Sequence, residues 1–189
     1  MSATVILAIV GIIILGVVVI LPIVIKKQLA VKNKVTVGTN NTETPKKTSE
    51  ILVSVRTVKG TMVISLKADL MPATVRNFLK LVDSGFYNGL DFHRIEVWGI
   101  QGGDPVGTGT GGPGWTIRLE VNRKLRNIKH AVGMARLKDP DSAGSQFYIL
   151  KSKVPSLDGK YAVFGNVIKG QNIIHKITKG DKMIEVKRL

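Results

Sequence analysis

Residues Val5 to Ile25 (VILAIVGIIILGVVVILPIVI) run for 21 positions without one charged side chain. A helix of that length spans about 30 Å, the hydrocarbon thickness of a bilayer. It has no polar face, which disfavours a buried core helix of a soluble domain as the alternative. The rival reading is a cleaved signal peptide, which needs a basic leading region, a shorter apolar core and a small-residue cleavage site. Met1–Thr4 holds no Lys or Arg, and Lys26-Lys27 follow the run with no Ala-x-Ala pattern. Residues 1–25 therefore read as an uncleaved, single-pass transmembrane anchor. Lys26, Lys27, Lys32 and Lys34 lie just after the run and nothing basic precedes it. The positive-inside rule thus leans the rest of the chain toward the cytoplasm, with export the open alternative.

Residues 26–50 carry no aromatic residue and no apolar period, and are rich in Thr, Asn and Lys. This is the composition of a flexible linker. All ten aromatics (two Trp, three Tyr, five Phe) fall in residues 51–189, which read as the globular domain. The formal charge of the chain is +15, of which the linker holds +4 and the domain +11. Such a charge suits an anionic surface. Arg118, Arg123, Lys124, Arg126 and Lys129 form a dense basic stretch that is either a solvated face or a lipid-facing one. No recognition helix or aromatic RNA platform accompanies it, so no specific nucleic-acid partner is expected. The absence of cysteine excludes a disulfide scaffold, a thiolate zinc site and a cysteine nucleophile.

Within the domain, Ile51, Val53 and Val55 alternate with Leu52, Ser54 and Arg56; Met62, Ile64 and Leu66 alternate with Val63, Ser65 and Lys67. That period of two predicts an antiparallel pair, with Lys59-Gly60 as its two-residue turn. Pro72 then starts a helix whose Val75, Phe78, Leu79 and Val82 form one apolar stripe, closed by Gly85. Short strand-like runs follow at Asp91–Ile95, Gly99–Gly102, Ala131–Ala135, Gln146–Leu150 and Ala162–Val167, then a helix at Gln171–Thr178 and a last strand at Met183–Val186. Many strands, few helices and glycine-rich connections predict a mainly β, closed or nearly closed antiparallel barrel.

Several motifs fail for want of context. Gly107-Thr108-Gly109-Thr110-Gly111-Gly112 fits G-x-G-x-x-G, but Pro113-Gly114 follows where a dinucleotide site needs a helix. It reads as a structural loop. Asp139-Pro140-Asp141 opens like a calcium loop but has Ala143 and Leu150 at later ligand positions. His93, His130 and His175 share no metal-ligand spacing. Ser145 sits in Gly-Ser-Gln rather than a nucleophile elbow. Neither a metal nor a cofactor is expected.

What remains is a set of polar groups beside apolar strand residues: Phe92-His93-Arg94, Gln101-Gly102-Gly103-Asp104, the Gly107–Gly114 loop, Gly144-Ser145-Gln146-Phe147 and Leu157-Asp158-Gly159-Lys160-Tyr161-Ala162-Val163-Phe164-Gly165. With these blocks in this order, the chain from Ile51 to Leu189 resembles the cyclophilin family of peptidyl-prolyl cis-trans isomerases. The resemblance implies a closed eight-stranded antiparallel barrel with two capping helices, and a groove on its outer face for proline-containing peptides and folding proteins. It makes Arg94 the catalytic arginine, with Gln101 beside it. Ala135 and Gln146 line the groove, and Trp98, Tyr148 and Leu157 stand at the walls of the proline pocket. Phe147 points into the barrel, and His93 is read as structural.

The chain also departs from the family pattern. Six residues separate Arg94 from Gln101 where the family usually has seven, and the usual Pro-Gly is missing. Trp98 then falls on a groove phenylalanine and Gly99 on an apolar neighbour. Arg136 replaces a groove asparagine and favours substrates with acidic neighbours; Tyr161 replaces a histidine. Ser156 stands where cyclosporin-binding members carry tryptophan, so weak cyclosporin binding is expected. The alternative to an enzyme is a proline-peptide binding module with little turnover. The oligomeric state is not legible.

Overall fold

The computed structural model describes residues 50–189; the predicted anchor and nearly all of the linker lie outside them. Among the described residues no helix is long and apolar enough to cross a membrane.

The domain opens on β1 (Ile51–Thr57) and β2 (Gly60–Leu66), paired antiparallel from Ile51 opposite Leu66 to Thr57 opposite Gly60. Val53, Val55, Met62 and Ile64 are fully buried, as the alternation requires. The turn itself is Val58-Lys59, one position earlier than predicted, because Gly60 already belongs to β2. Gly60 has φ +133°, and a Cβ there would stand 2.7 Å from Ile173 Cδ1. The positive φ, a region that L side chains rarely adopt, is what demands glycine there.

Helix α1 (Pro72–Asp83) buries Val75, Phe78, Leu79 and Val82. Phe78 packs against Phe164, Tyr87 and Phe147 with ring centroids 5.0, 5.2 and 5.6 Å apart. The helix begins at Met71, which has no capping side chain. Glu120, far along the chain, supplies the missing acceptor: its carboxylate takes the N–H of Ala73 (3.2 Å) and of Thr74 (2.8 Å). A carboxylate on orphan N–H groups, at the positive end of the helix dipole, is worth about 0.5–2 kcal/mol. Glu120→Ala should therefore lower the unfolding free energy by that amount, read as a lower urea midpoint with no change in slope. An unchanged midpoint would remove Glu120 as the cap.

The remaining strands are β3 (Arg94–Ile95), β4 (Gly99–Gly102), β5 (Ala131–Met134), β6 (Phe147–Leu150), β7 (Val163–Lys169) and β8 (Met183–Arg188). All eight join one antiparallel sheet in the order β3-β4-β6-β5-β7-β2-β1-β8. The predicted closed barrel is corrected here: the sheet is an open half-barrel, because edge strands β3 and β8 form no ladder with each other. Only two residues of β3 are paired, and the segment before it meets the far edge through the isolated bridge Asp91–Lys182. The hydrogen bonds Phe92 N to Asp181 O (3.0 Å) and Met183 N to Leu90 O (2.8 Å) span that seam. Of the two predicted capping helices, the second, α2 (Gln171–Ile174), lasts a single turn. The chain then turns at Thr178, whose N–H and hydroxyl both donate to the Asp181 carboxylate.

Strand alternation sorts side chains into two apolar clusters. Phe147 and Ile149 of β6, with Val132 of β5 and Ile100 of β4, join the barrel interior. Tyr148 and Leu150, with Ala131 and Val163, form a second cluster on the opposite face, flanked by Trp98, Ala135, Val154, Leu157 and Tyr161.

Candidate active site

That outer face is the floor of a cavity of about 1140 Å³. Arg94 and Gln101 face each other across the β3–β4 ladder, and Gln101 in turn pairs with Tyr148 of β6. Tyr148 also stands opposite Gly133 of β5. A Cβ on Gly133 would lie 2.3 Å from the Tyr148 phenol oxygen, so the ring lies flat across the glycine. Trp98 and Tyr161 meet Tyr148 edge-on, with centroids 6.2 and 6.1 Å away. Three aromatic rings and Leu157 thus enclose an apolar pocket beside the polar Arg94–Gln101 pair.

The floor is fixed from below. The Tyr148 O–H donates to Asn127 Oδ1 at 2.6 Å, while the Asn127 backbone N–H and side-chain amide donate to Asp158 Oδ1 at 2.7 and 3.1 Å. The Asn127 N–H leads the causes that hold the Asp158 carboxyl below the usual carboxylate range. Burial, then Tyr161 and Asp158, push the Tyr148 phenol far above its ordinary value, so it stays a neutral donor.

A second wall comes from the glycine-rich loop. Gln146 Nε2 donates to Gly109 O (3.0 Å) and Gly111 O (2.9 Å), and its Oε1 accepts from Gln101 Nε2 (2.8 Å). The loop is held by Asp104, whose carboxylate accepts from Val106 N at 2.9 Å and from Gly109 N. Burial pushes the Asp104 carboxyl up, but the N–H groups of Val106, Gly109 and Gly111 outweigh it and hold it below its ordinary value. Asp104 is 1% exposed.

Arg94, Trp98, Gln101, Ala135, Arg136, Gln146, Tyr148, Leu157 and Tyr161 all line the cavity. Gly99 does not: it is buried opposite Leu150, and a Cβ there would meet Ile149 O at 2.8 Å. Arg136 places its guanidinium 4.6 Å from the Tyr161 ring centre and donates to the carbonyls of Lys160, Leu137 and Lys138. Ser145 Oγ donates to Gly103 O at 2.6 Å, which commits that hydroxyl to the backbone. Sequence reasoning missed Val154 and the part of the glycine-rich loop that walls the cavity. The loop's carbonyls matter here, and a motif read by side chains gives no sign of them. His93, read as structural, also lines the cavity and is 7% exposed, with neither ring nitrogen bonded among the described residues.

The arrangement offers an apolar slot for a ring, amide donors and acceptors for an extended backbone, and a guanidinium at the slot's edge. Comparison with known proteins agrees with it. Residues 52–188 match the family described as "Cyclophilin type peptidyl-prolyl cis-trans isomerase/CLD". A peptidyl-prolyl cis-trans isomerase of Helicobacter pylori is 40% identical over 132 residues, covering 68% of this chain and 80% of that protein. Peptidyl-prolyl cis-trans isomerase B of Bacillus subtilis is 43% identical over 124 residues, covering 65% and 86%. Among solved structures, a Cryptosporidium parvum cyclophilin-type isomerase superposes with TM-score 0.70 at 30% identity, covering 74% of this chain and 98% of that one. A second structure of that protein, in the presence of the dipeptide Ala-Pro, superposes with TM-score 0.67 at 31% identity, covering 72% and 97%.

Proposed function

The chain belongs to the cyclophilin-type peptidyl-prolyl cis-trans isomerase family, and from that premise we propose that it turns X-Pro bonds in the outer-face groove, with Arg94 stabilising the twisted amide. Rotation is slow because amide resonance must be broken, a barrier of about 18–20 kcal/mol. No nucleophile or metal is required. The pyrrolidine ring sits in the Trp98–Tyr148–Leu157 pocket while Gln101 and Gln146 hold the adjoining peptide. At the top of the barrier the prolyl nitrogen has regained its lone pair. A guanidinium that never loses its proton supplies a fixed donor there. An acceleration of about 10⁵ needs only about 7 kcal/mol of differential stabilisation.

The single observation that carries this reading is the Arg94–Gln101–Gln146 row beside the three-ring pocket. A protease-coupled isomerisation assay on an X-Pro peptide tests it. Turnover well above the spontaneous rate supports it, and the spontaneous rate alone contradicts it. Peptides with Glu beside the proline should turn over faster than those with Lys, on account of Arg136. A second reading, a module that binds proline segments with little turnover, is favoured by the shortened connection between Arg94 and Gln101, which closes in the tight Glu96–Gly99 turn.

The same proposal places the domain at a membrane, tethered through Val5–Ile25 with the domain on the cytoplasmic side. The uncharged run followed by four lysines supports it. The full chain should sediment with membranes and resist a carbonate wash, and deletion of residues 1–25 should release it. Full-length protein recovered in the soluble fraction would contradict the tether.

A further inference from the structure

We propose that Glu96 is a positioning residue for Arg94, aiming the guanidinium into the groove by occupying its Nε–H. The inference rests on Arg94 acting on the substrate, as proposed above. It starts from the shortened connection between Arg94 and Gln101. Glu96 N donates to Gly99 O (2.8 Å) and Gly99 N to Glu96 O (3.3 Å), so Val97 and Trp98 alone form the turn. Lys151, just past the end of β6, fastens it, its N–H on Trp98 O (2.8 Å) and its Nζ on Glu96 O (3.4 Å). A turn this tight fixes which way each neighbouring side chain faces.

Alternation then puts Arg94 and Glu96 on the groove face, while Ile95 packs on the barrel interior. Across from Glu96 stands Gly99, which offers no side chain, and across from Arg94 stands Gln101. Gln101 gives its amide to Gln146, leaving Glu96 to hold the arginine. The bond is made: Arg94 Nε to Glu96 Oε1 is 2.9 Å. The guanidinium carries five N–H donors, and Nε holds one. Anchored there, its Cζ lies 5.8 Å from the centre of the Trp98 ring that bounds the proline pocket, and neither terminal amino group is used by Glu96. Both side chains are well exposed, 53% for Arg94 and 37% for Glu96. A pair this exposed adds little to stability, so its consequence lies in where the guanidinium points.

Glu96→Ala should lower kcat for an X-Pro peptide by about three- to tenfold with KM nearly unchanged, since orientation matters most at the top of the barrier. Glu96→Gln, which keeps an acceptor oxygen, should recover most of that loss. The Arg94 Nε–H resonance should be shifted and slow to exchange in the parent protein and in Glu96→Gln, and should collapse to the free-arginine position in Glu96→Ala. Higher kcat in both variants would overturn the proposal, because Glu96 would then be restraining Arg94 rather than aiming it. So would a parental kcat in Glu96→Ala. Arg94→Ala run alongside separates the two ideas. If it stays active, the reading of Arg94 itself fails; if it is inactive while Glu96→Ala is fully active, only the role of Glu96 falls.

Discussion

Arg94→Ala is expected to reduce kcat/KM for an X-Pro peptide by about 10²–10³, the cost of removing one preorganised charged donor from a site of developing charge. The fold should not notice. The Arg94 side chain is 53% exposed and its ion pair with Glu96 lies at the surface, where such pairs contribute at most about 1 kcal/mol. Melting temperature and the unfolding midpoint should therefore stay near those of the parent. Arg94→Lys keeps the charge but loses the planar donor fork that lets one N–H hold Glu96 while others face the substrate. It should lose most of the activity as well. A parental rate in either variant would show that the groove rotates the bond without this guanidinium.

Asp104→Ala should have the largest effect on stability at the site, about 2–3 kcal/mol, because a buried carboxylate accepting several N–H bonds is being removed. The loss also travels. Without Asp104 the loop carrying Gly109 O and Gly111 O is released, Gln146 loses both acceptors of its amide, and Gln101 loses the carbonyl that holds it. Activity should fall with stability even though Asp104 touches no substrate.

The dependence on pH follows from the direction of its shift. The folded state holds the Asp104 carboxyl below its ordinary value, so the ionised form stabilises the fold at neutral pH. That contribution is present above the unfolded value of about 3.9 and disappears as pH falls from there through the lower folded value. Urea unfolding at pH 7 and pH 3 should show the gap between the parent and Asp104→Asn narrowing in acid. A gap that stayed constant would mean the carboxylate is not what holds the loop.

Local pattern made much of the domain legible. The period of two at Val53–Val55 and Met62–Ile64 marked the first hairpin, and the Val75, Phe78, Leu79, Val82 stripe marked the first helix. Phe147, one step from Gln146, had to face inward if Gln146 faced the groove. What side-chain pattern does not display is a partner far along the chain or a contact made by the backbone. Glu120 caps a helix 46 residues before it, and Asp104 acts through backbone N–H groups that a side-chain motif does not display. The open seam between β3 and β8 arises because only two residues of β3 find ladder partners, fewer than the strand-like run Asp91–Ile95 suggests. Gly99 looked like a groove residue by alignment to a pattern. Its position is instead decided by the Ile149 carbonyl, which leaves no room for a side chain.

The central claim is that prolyl bonds turn on the outer face, in the pocket bounded by Trp98, Tyr148 and Leu157. Exchange NMR on an X-Pro peptide titrated with the protein tests it most directly, since one sample reports both the exchange rate and the residues the peptide touches. Cis–trans exchange peaks should appear at substoichiometric protein, with shift changes at Trp98, Gln101, Gln146 and Tyr148 and loss of the exchange in Arg94→Ala. Exchange at the spontaneous rate, or shifts confined to residues outside this groove, would contradict the account.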